Sequence, residues 1–352
     1  MRYGIVAENP LERIGLASGM VPTPMLEPYG AAFGRALMVA TKVGVFEALA
    51  DGPLTAPAVA DRCRIDAGAA EKLMNFLVGT RHLRRSKDGT FRLTKVARRW
   101  LLETGPQSVR DMVLMKFLEW QWFEGLETYV RTGEPLDVHG GMSTDDWGLY
   151  QRGMRAQAGL LRGWLARSLP IPPNATTMLD VGGSHGYLSV ELCRRHPNLR
   201  SVVLDLPEAV EQAAPLLAAE GMGDRVVHRA GDALTEDLGS EQYDLILAFS
   251  LVHHFDAETN RAFTVRCARA LRPGGIFVIG DLMRPESPSG ASSFDLFYDL
   301  YFALISRSGL WSFDEMAEWQ RAAGLLPRKP MRLIMGQGPG LQIGERPQND
   351  RA

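Results

Sequence analysis

Two histidines stand side by side in Ala248-Phe249-Ser250-Leu251-Val252-His253-His254-Phe255-Asp256. Imidazole titrates nearer neutrality than other side chains. His253 and His254 can therefore take a proton from a hydroxyl of much higher pKa, such as a phenol at about 10. A second set of residues has the types needed to hold a nucleoside. Asp180, Gly182, Gly183, Ser184 and Gly186 lie in Leu179-Asp180-Val181-Gly182-Gly183-Ser184-His185-Gly186. Asp205 follows Gly186 by nineteen positions, and Gly231-Asp232-Ala233 comes next. Glycines let a backbone pass close to a ligand and turn tightly into a helix. An acid at Asp205 can accept hydrogen bonds from a ribose diol. Asp232 and the backbone beside it suit an adenine edge. Together and in this order they imply an adenosine-containing cofactor. The spacing Gly182-x-x-x-Gly186 is not the G-x-G-x-x-G of dinucleotide sites, and no G-x-x-x-x-G-K-[ST] loop occurs in it. Such a turn offers few phosphate-facing amides and suits a cofactor without phosphates.

These residues need strands and helices to place them. From Thr177 onward the sequence alternates between the two. Strands are predicted at 178–181, 201–205, 225–229, 243–249 and 275–281, with helices through His196 and over 207–220, 258–271, 293–305 and 313–323. Residues 328–335 and 341–345 flank Gly336-Gln337-Gly338-Pro339-Gly340 and read as a hairpin. Five βα units and a closing hairpin give seven strands, mostly parallel and covered on both faces. Ligands of such sheets bind beyond the carboxyl ends of the strands, where all the residues above fall.

The N-terminal part differs. About twenty residues punctuated by Pro and Gly read as an arm. A helix is predicted over 29–50, stopped by Asp51-Gly52-Pro53, then short helices to Cys63, with Thr55 as cap, and over 66–80. Residues 83–85 and 90–93 flank Lys87-Asp88-Gly89, a hairpin signal. This is a winged-helix layout. Long helices over 109–130 and 147–169 carry Trp120, Trp122, Phe123, Trp147, Tyr150 and Met154, which suit core packing or an apolar pocket. Two domains are expected, at 1–105 and 106–352.

Hydrophobic residues make up 45% of the 352 and charged residues 23%, which excludes general disorder. The net charge of −2 gives no global attraction for nucleic acid. Arg81-His82-Leu83-Arg84-Arg85 is offset by Asp61, Asp66, Glu71 and Asp88, so DNA binding is the weaker reading of the winged helix. Cys63, Cys193 and Cys267 are far apart, have no zinc-type spacing and fit a reducing cytosol. Cys193 and Cys267 fall on predicted buried helix faces. The N-terminus carries Glu8 and Glu12 and does not read as a signal peptide. The most apolar run, 245–252, is too short to span a bilayer. His253, His254 and Asp281 form a 2-His-1-carboxylate set by type, but adjacent side chains project differently, and no metal is expected.

The chain resembles the class I S-adenosylmethionine (SAM) methyltransferases, and within them the two-domain small-molecule O-methyltransferases of plant type and their bacterial relatives. The resemblance rests on the glycine turn, Asp205-Leu206-Pro207, Gly231-Asp232, Leu271-Arg272-Pro273-Gly274-Gly275 and the terminal hairpin, in the family's order. It implies a Rossmann-like seven-stranded α/β methyltransferase sheet with a C-terminal antiparallel hairpin. It also implies a mainly helical winged-helix dimerisation domain and a homodimer, which the cysteine usage places in the cytoplasm. SAM would be the methyl donor, S-adenosylhomocysteine (SAH) the product, and a small aromatic metabolite the acceptor. By position, Gly182 would approach the methionine part, Asp205 and Leu206 would lie at the ribose, and Gly231, Asp232 and Ala233 at the adenine. Phe249 and Ser250 stand near the cofactor, Phe249 where relatives often have a polar residue. Ser184 replaces the family's middle glycine. His253 matches the family's general base and Asp281 the first acid that orients it. His254 and Phe255 replace the usual Asp and Trp. The second flanking acid is missing, with Leu310 at its position; Asp295 and Asp299, four apart on one helix face, could compensate. C- or N-methylation, or SAM use without methyl transfer, are the alternatives, and a DNA-binding regulator is a further one.

Overall fold

The computed structural model describes residues 4–306, 308–332 and 339–348. Two compact units divide the chain, one ending at Phe117 and one beginning at Leu118.

In the N-terminal unit, helices α1 (Pro10–Ala17) and α2 (Thr23–Leu26) occupy the segment expected to be an irregular arm. Local chemistry explains α1: Asn9 caps it by accepting from the Glu12 N–H at 2.9 Å, and Pro10 fills the first turn. The single helix expected over 29–50 is two, α3 (Tyr29–Lys42) and α4 (Val45–Ala48). Gly44 lies between them at φ +85°, a left-handed conformation that ends α3. α5 (Ala56–Cys63) starts at Thr55, whose side chain makes no cap bond. α6 (Ala67–Gly79) is capped by Asp66. The hairpin forms as expected, with β1 (Leu83–Arg85) antiparallel to β2 (Phe91–Leu93). Phe46, Leu49, Met74, Leu77, Leu83 and Phe91 fill this unit's core. α7 (Lys95–Trp100) follows. α8 (Arg110–Glu124) carries the chain across the division between the units.

The C-terminal unit begins with the end of α8 and with α9 (Leu126–Thr132); Gly125 breaks the one helix expected over 109–130. The 25-residue α10 (Thr144–Ser168) starts at a Ser143–Asp146 capping box. Then come β3 (Thr177–Val181), α11 (Tyr187–Arg195), β4 (Arg200–Asp205), α12 (Pro207–Ala218), β5 (Val226–Ala230), β6 (Tyr243–Phe249), α13 (Ala257–Ala270), β7 (Leu271–Asp281), α14 (Ser293–Ile305) and α15 (Phe313–Ala322). The short β8 (Leu326–Pro327) and β9 (Met331–Arg332) precede β10 (Gly340–Glu345). The sheet order is β5-β4-β3-β6-β7-β10-β8, with β9 also on β10. β3 to β7 run parallel, and β10 pairs antiparallel with β7, β8 and β9. The seven rows match expectation, but the outermost is two short pieces. Pro327 and Pro330 interrupt it, as edge strands tolerate. The rest of the expected strand and residues 336–338 of its turn lie outside the described residues.

Alternate strand residues feed two cores. Met178, Val203, Leu245 and Val278 face α10, α11 and α12, while Leu179, Leu204, Ile246 and Phe277 face α13 and α15. Each fully buried side chain of this size contributes about 1.5–3 kcal/mol. This period-two burial on both faces makes the strands near-continuous apolar runs. The chain leaves β3 for β4 and β5, then returns to β6 on the other side of β3. That reversal opens the crevice at the carboxyl ends of β3 and β6 where such folds bind ligands. Among the described residues no helix is long and apolar enough to cross a membrane.

Candidate active site

The glycine turn leaves β3 directly over Asp180. Asp180 is buried beneath it and accepts from Ser189 Oγ at 2.6 Å; burial raises its pKa to about 7. Gly182 has φ +66°, and a Cβ there would meet the Leu251 side chain at 2.8 Å. A Cβ on Gly183 would meet the Asp180 carboxyl at 2.6 Å. Only glycine lets the strand end this close to its neighbours. Gly186 is the N-cap of α11.

Ser184 donates its backbone N–H to Asp205 Oδ2 at 2.7 Å, and Leu206 N–H reaches Oδ1 at 2.8 Å. Enclosure lifts the Asp205 pKa to about 6, opposed by these two bonds. Each carboxylate oxygen retains a free lone pair, the acceptor set that a ribose diol needs. Asp205 is no mere helix cap, because its two bonds go to the glycine turn and to Leu206, the residue at the α12 N-cap position. Gly231 N–H donates to the Asp205 carbonyl at 2.9 Å, bringing the β5 end beside β4. Asp232 accepts from Leu234 N–H at 2.9 Å, and Ala233 packs against the second core.

After β6 the chain turns sharply. Phe249 lies over Gly280, and Ser250 adopts φ +55° while donating N–H to the Gly280 carbonyl at 2.7 Å. A non-glycine residue held there marks a backbone fixed by its surroundings. The 3₁₀ turn Val252–His254 follows. Asn260 and the Trp311 indole N–H both donate to the Val252 carbonyl at 3.0 Å. His253 Nδ1 lies 2.9 Å from both oxygens of Asp281, and both residues are buried. Asp281 also accepts from Leu282 N–H at 2.8 Å. Its charge thus fixes Nδ1 as the protonated nitrogen and leaves Nε2 as the acceptor.

His254 points elsewhere. Its Nδ1 lies 2.9 Å from Ser306 Oγ, and burial, with His253 and His139 nearby, pushes its pKa well down. The two adjacent imidazoles therefore have separate partners. Among the described residues no group of His, Cys, Asp and Glu is arranged to hold a metal ion. Leu310 is buried, and its N–H donates to Asp299 at 3.1 Å. Asp295 closes the Ser292 capping box of α14. Both acids serve the backbone, and among the described residues neither hydrogen-bonds an imidazole.

Aromatic rings surround the histidines. Phe302 stands 3.7 Å from the His253 ring, centroid to centroid, and Tyr298, Tyr301, Trp122 and Phe123 continue the wall. His139 stacks on Trp147 at 5.5 Å and meets His254 edge-on at 5.0 Å. Burial lowers its pKa to about 4. Sequence reasoning missed His139: it precedes a capping box in a connecting segment, with no spacing that relates it to His253. Of the aromatics singled out on α8 and α10, Trp122, Phe123, Trp147 and Tyr150 join this cluster.

Residues 137–324, more than half of the chain, match the model of the O-methyltransferase domain, and residues 28–103 match the O-methyltransferase dimerisation domain. The chain belongs to the O-methyltransferase family. The family read from the motifs is thus the family found. Among the relatives of this O-methyltransferase, a 3-hydroxy-5-methyl-1-naphthoate 3-O-methyltransferase of Streptomyces sahachiroi is 29% identical, covering 88% of this chain and 91% of that one. The N,N-dimethyltransferase OxyT of Streptomyces rimosus is 27% identical over 89% and 93%. Human N-acetylserotonin methyltransferase, solved in complex with SAM, shares the fold at TM-score 0.82 and 19% identity, covering 98% of this chain and all of that one.

Proposed function

We propose that this O-methyltransferase transfers the methyl group of SAM to a hydroxyl of a small aromatic, secondary-metabolite acceptor, with His253 as general base. The carrying observation is the buried His253–Asp281 pair, bonded through Nδ1 at 2.9 Å. Asp281 holds the ring in one tautomer, and Nε2 takes the acceptor's proton. The carboxylate then stabilises the imidazolium. When bound, SAM supplies an electrophilic methyl on a sulfonium. The chain's own task is to align the acceptor and remove its proton, and alignment provides much of the acceleration. Asp205 and Leu206 hold the ribose hydroxyls, and Gly231, Asp232 and Ala233 the adenine. Gly182, Gly183, Ser184 and Gly186 bring the backbone up to the donor, with Asp180 supporting them. Phe249 and Ser250 complete the rim. The Asp205 carboxylate and the Gly182 turn, which a Cβ would fill, fit such a cofactor. His254 is a secondary residue of the acceptor side.

The acceptor class follows the Streptomyces relative, whose name specifies a hydroxynaphthoate. The dimerisation-domain match supports a homodimer, and three free cysteines are consistent with the cytoplasm. The test is methyl transfer from labelled SAM to a panel of hydroxylated naphthoates and phenols. Methyl ether formation that falls at least 10³-fold in His253→Ala, with SAH binding retained, supports the reading. Transfer undiminished in His253→Ala sinks it. N-methylated product instead would favour the activity named for the dimethyltransferase relative.

A further inference from the structure

Ser184 is the residue of the glycine turn that takes a left-handed conformation without being glycine. It holds φ +54°, a left-handed conformation that glycine would adopt without strain. Three hydrogen bonds fix it. Its N–H donates to Asp205 at 2.7 Å, His228 Nε2 donates to its carbonyl at 2.8 Å, and its hydroxyl donates to Gln151 Oε1. The first two are backbone bonds that glycine would keep. The third needs the serine side chain. Gln151 is only 1% exposed and lies on α10. Burying an amide there is costly unless it is partnered.

We propose that Gln151 is a positioning residue for the methyl donor, acting through the Ser184 hydroxyl; the proposal rests on the cofactor reading given above. Gln151 fastens the turn to α10 and so fixes where the Ser184 N–H and the Asp205 carboxylate stand relative to each other. α10 also carries Trp147 and Tyr150, whose rings pack on His139 beside His254. One helix thus joins the donor turn to the aromatic side of the site. Gln151→Leu, close to Gln in volume, leaves Ser184 without its partner and lets the turn relax. Removing both polar groups removes the mismatch.

The experiment is calorimetric titration of the full-length protein with SAH. Wild type, Gln151→Leu, Ser184→Ala and the double variant are compared, each with its thermal midpoint measured without SAH. Each single variant should bind SAH about 10-fold more weakly, with the double variant no weaker than either single one. A general packing defect would instead make the two losses multiply, and that result overturns the proposal. So does wild-type affinity in Gln151→Leu. If Gln151→Leu fails to fold, Ser184→Ala alone decides, because it deletes only the hydroxyl: unchanged SAH affinity overturns the proposal. A folded wild type that does not bind SAH overturns the cofactor reading itself, and this proposal with it.

Discussion

Asp205 accepts two backbone N–H groups, and enclosure holds its pKa near 6. Hydroxyl donors from a bound ribose favour the ionised form and lower that pKa. Binding therefore releases a proton below pH 6, and SAH affinity should rise with pH and level off above it. Calorimetry should find SAH bound about 10-fold more weakly at pH 5 than at pH 7, the loss expected one unit below a pKa of 6. Asp205→Asn should bind weakly at both pH values. A flat profile in wild type would separate Asp205 from the donor. At His253 the relevant variant is Asp281→Asn. Its amide can donate to Nδ1, which moves the proton to Nε2 and abolishes the base. Methyl transfer should fall about 10³-fold or more while SAH affinity stays. Equal loss of both would mean that Asp281 serves folding. These residues were legible because each ends a strand or, like His253, follows closely after one, where types and spacing carry meaning. Gln151 and His139 were not. Their importance comes from partners 33 and 115 positions away, Ser184 and His254, and no local pattern encodes such a contact.

Secondary elements were legible in proportion to how far local chemistry decides them. α14 runs over the expected residues, and β6 does too, because a capping box and an apolar run bound them. The breaks were harder. Gly44 and Gly125 interrupt apolar patterns that continue across them, so periodicity alone ran each pair of helices together. α1 was missed for the opposite reason, since its Asn9 cap and Glu12 are clear but its apolar face is exposed at Leu11 and Ile14. The Gly44 break makes a prediction. A Cβ there meets nothing closer than Cys63 Sγ at 4.0 Å, so the cost of Gly44→Ala is backbone strain alone. The variant should lose about 1 kcal/mol of stability. Urea unfolding followed by circular dichroism measures it. A loss near zero would mean that α3 and α4 can be joined without the left-handed residue.

At the scale of the whole chain, the sheet order follows from the alternation of strand and helix together with the right-handed crossovers that parallel strands obey. The sequence could not show how many polar groups the fold would bury neutral. His139, His185 and His254 are enclosed, and burial lowers their pKa values, to about 4 for His139 and about 3 for His185. His82 and His228 shift the same way while less enclosed. Asp180 and Asp205 are shifted up, to about 7 and about 6. Stability rises with pH wherever the unfolded chain binds more protons than the folded one. Between pH 6 and 5 the unfolded chain protonates the three enclosed histidines, which the folded chain keeps neutral. Over the same range the folded chain keeps protons on the two aspartates, which the unfolded chain has lost. The histidines win by three to two. Acidification should therefore destabilise the protein across this range, with His82 and His228 adding to the loss. Denaturant titrations at pH 7, 6 and 5 measure the slope, and His139→Leu, which removes one of these protons, should flatten it by about 1.4 kcal/mol per unit. Stability that rises on acidification would mean that the two aspartates, rather than the enclosed histidines, set the response of this fold to pH.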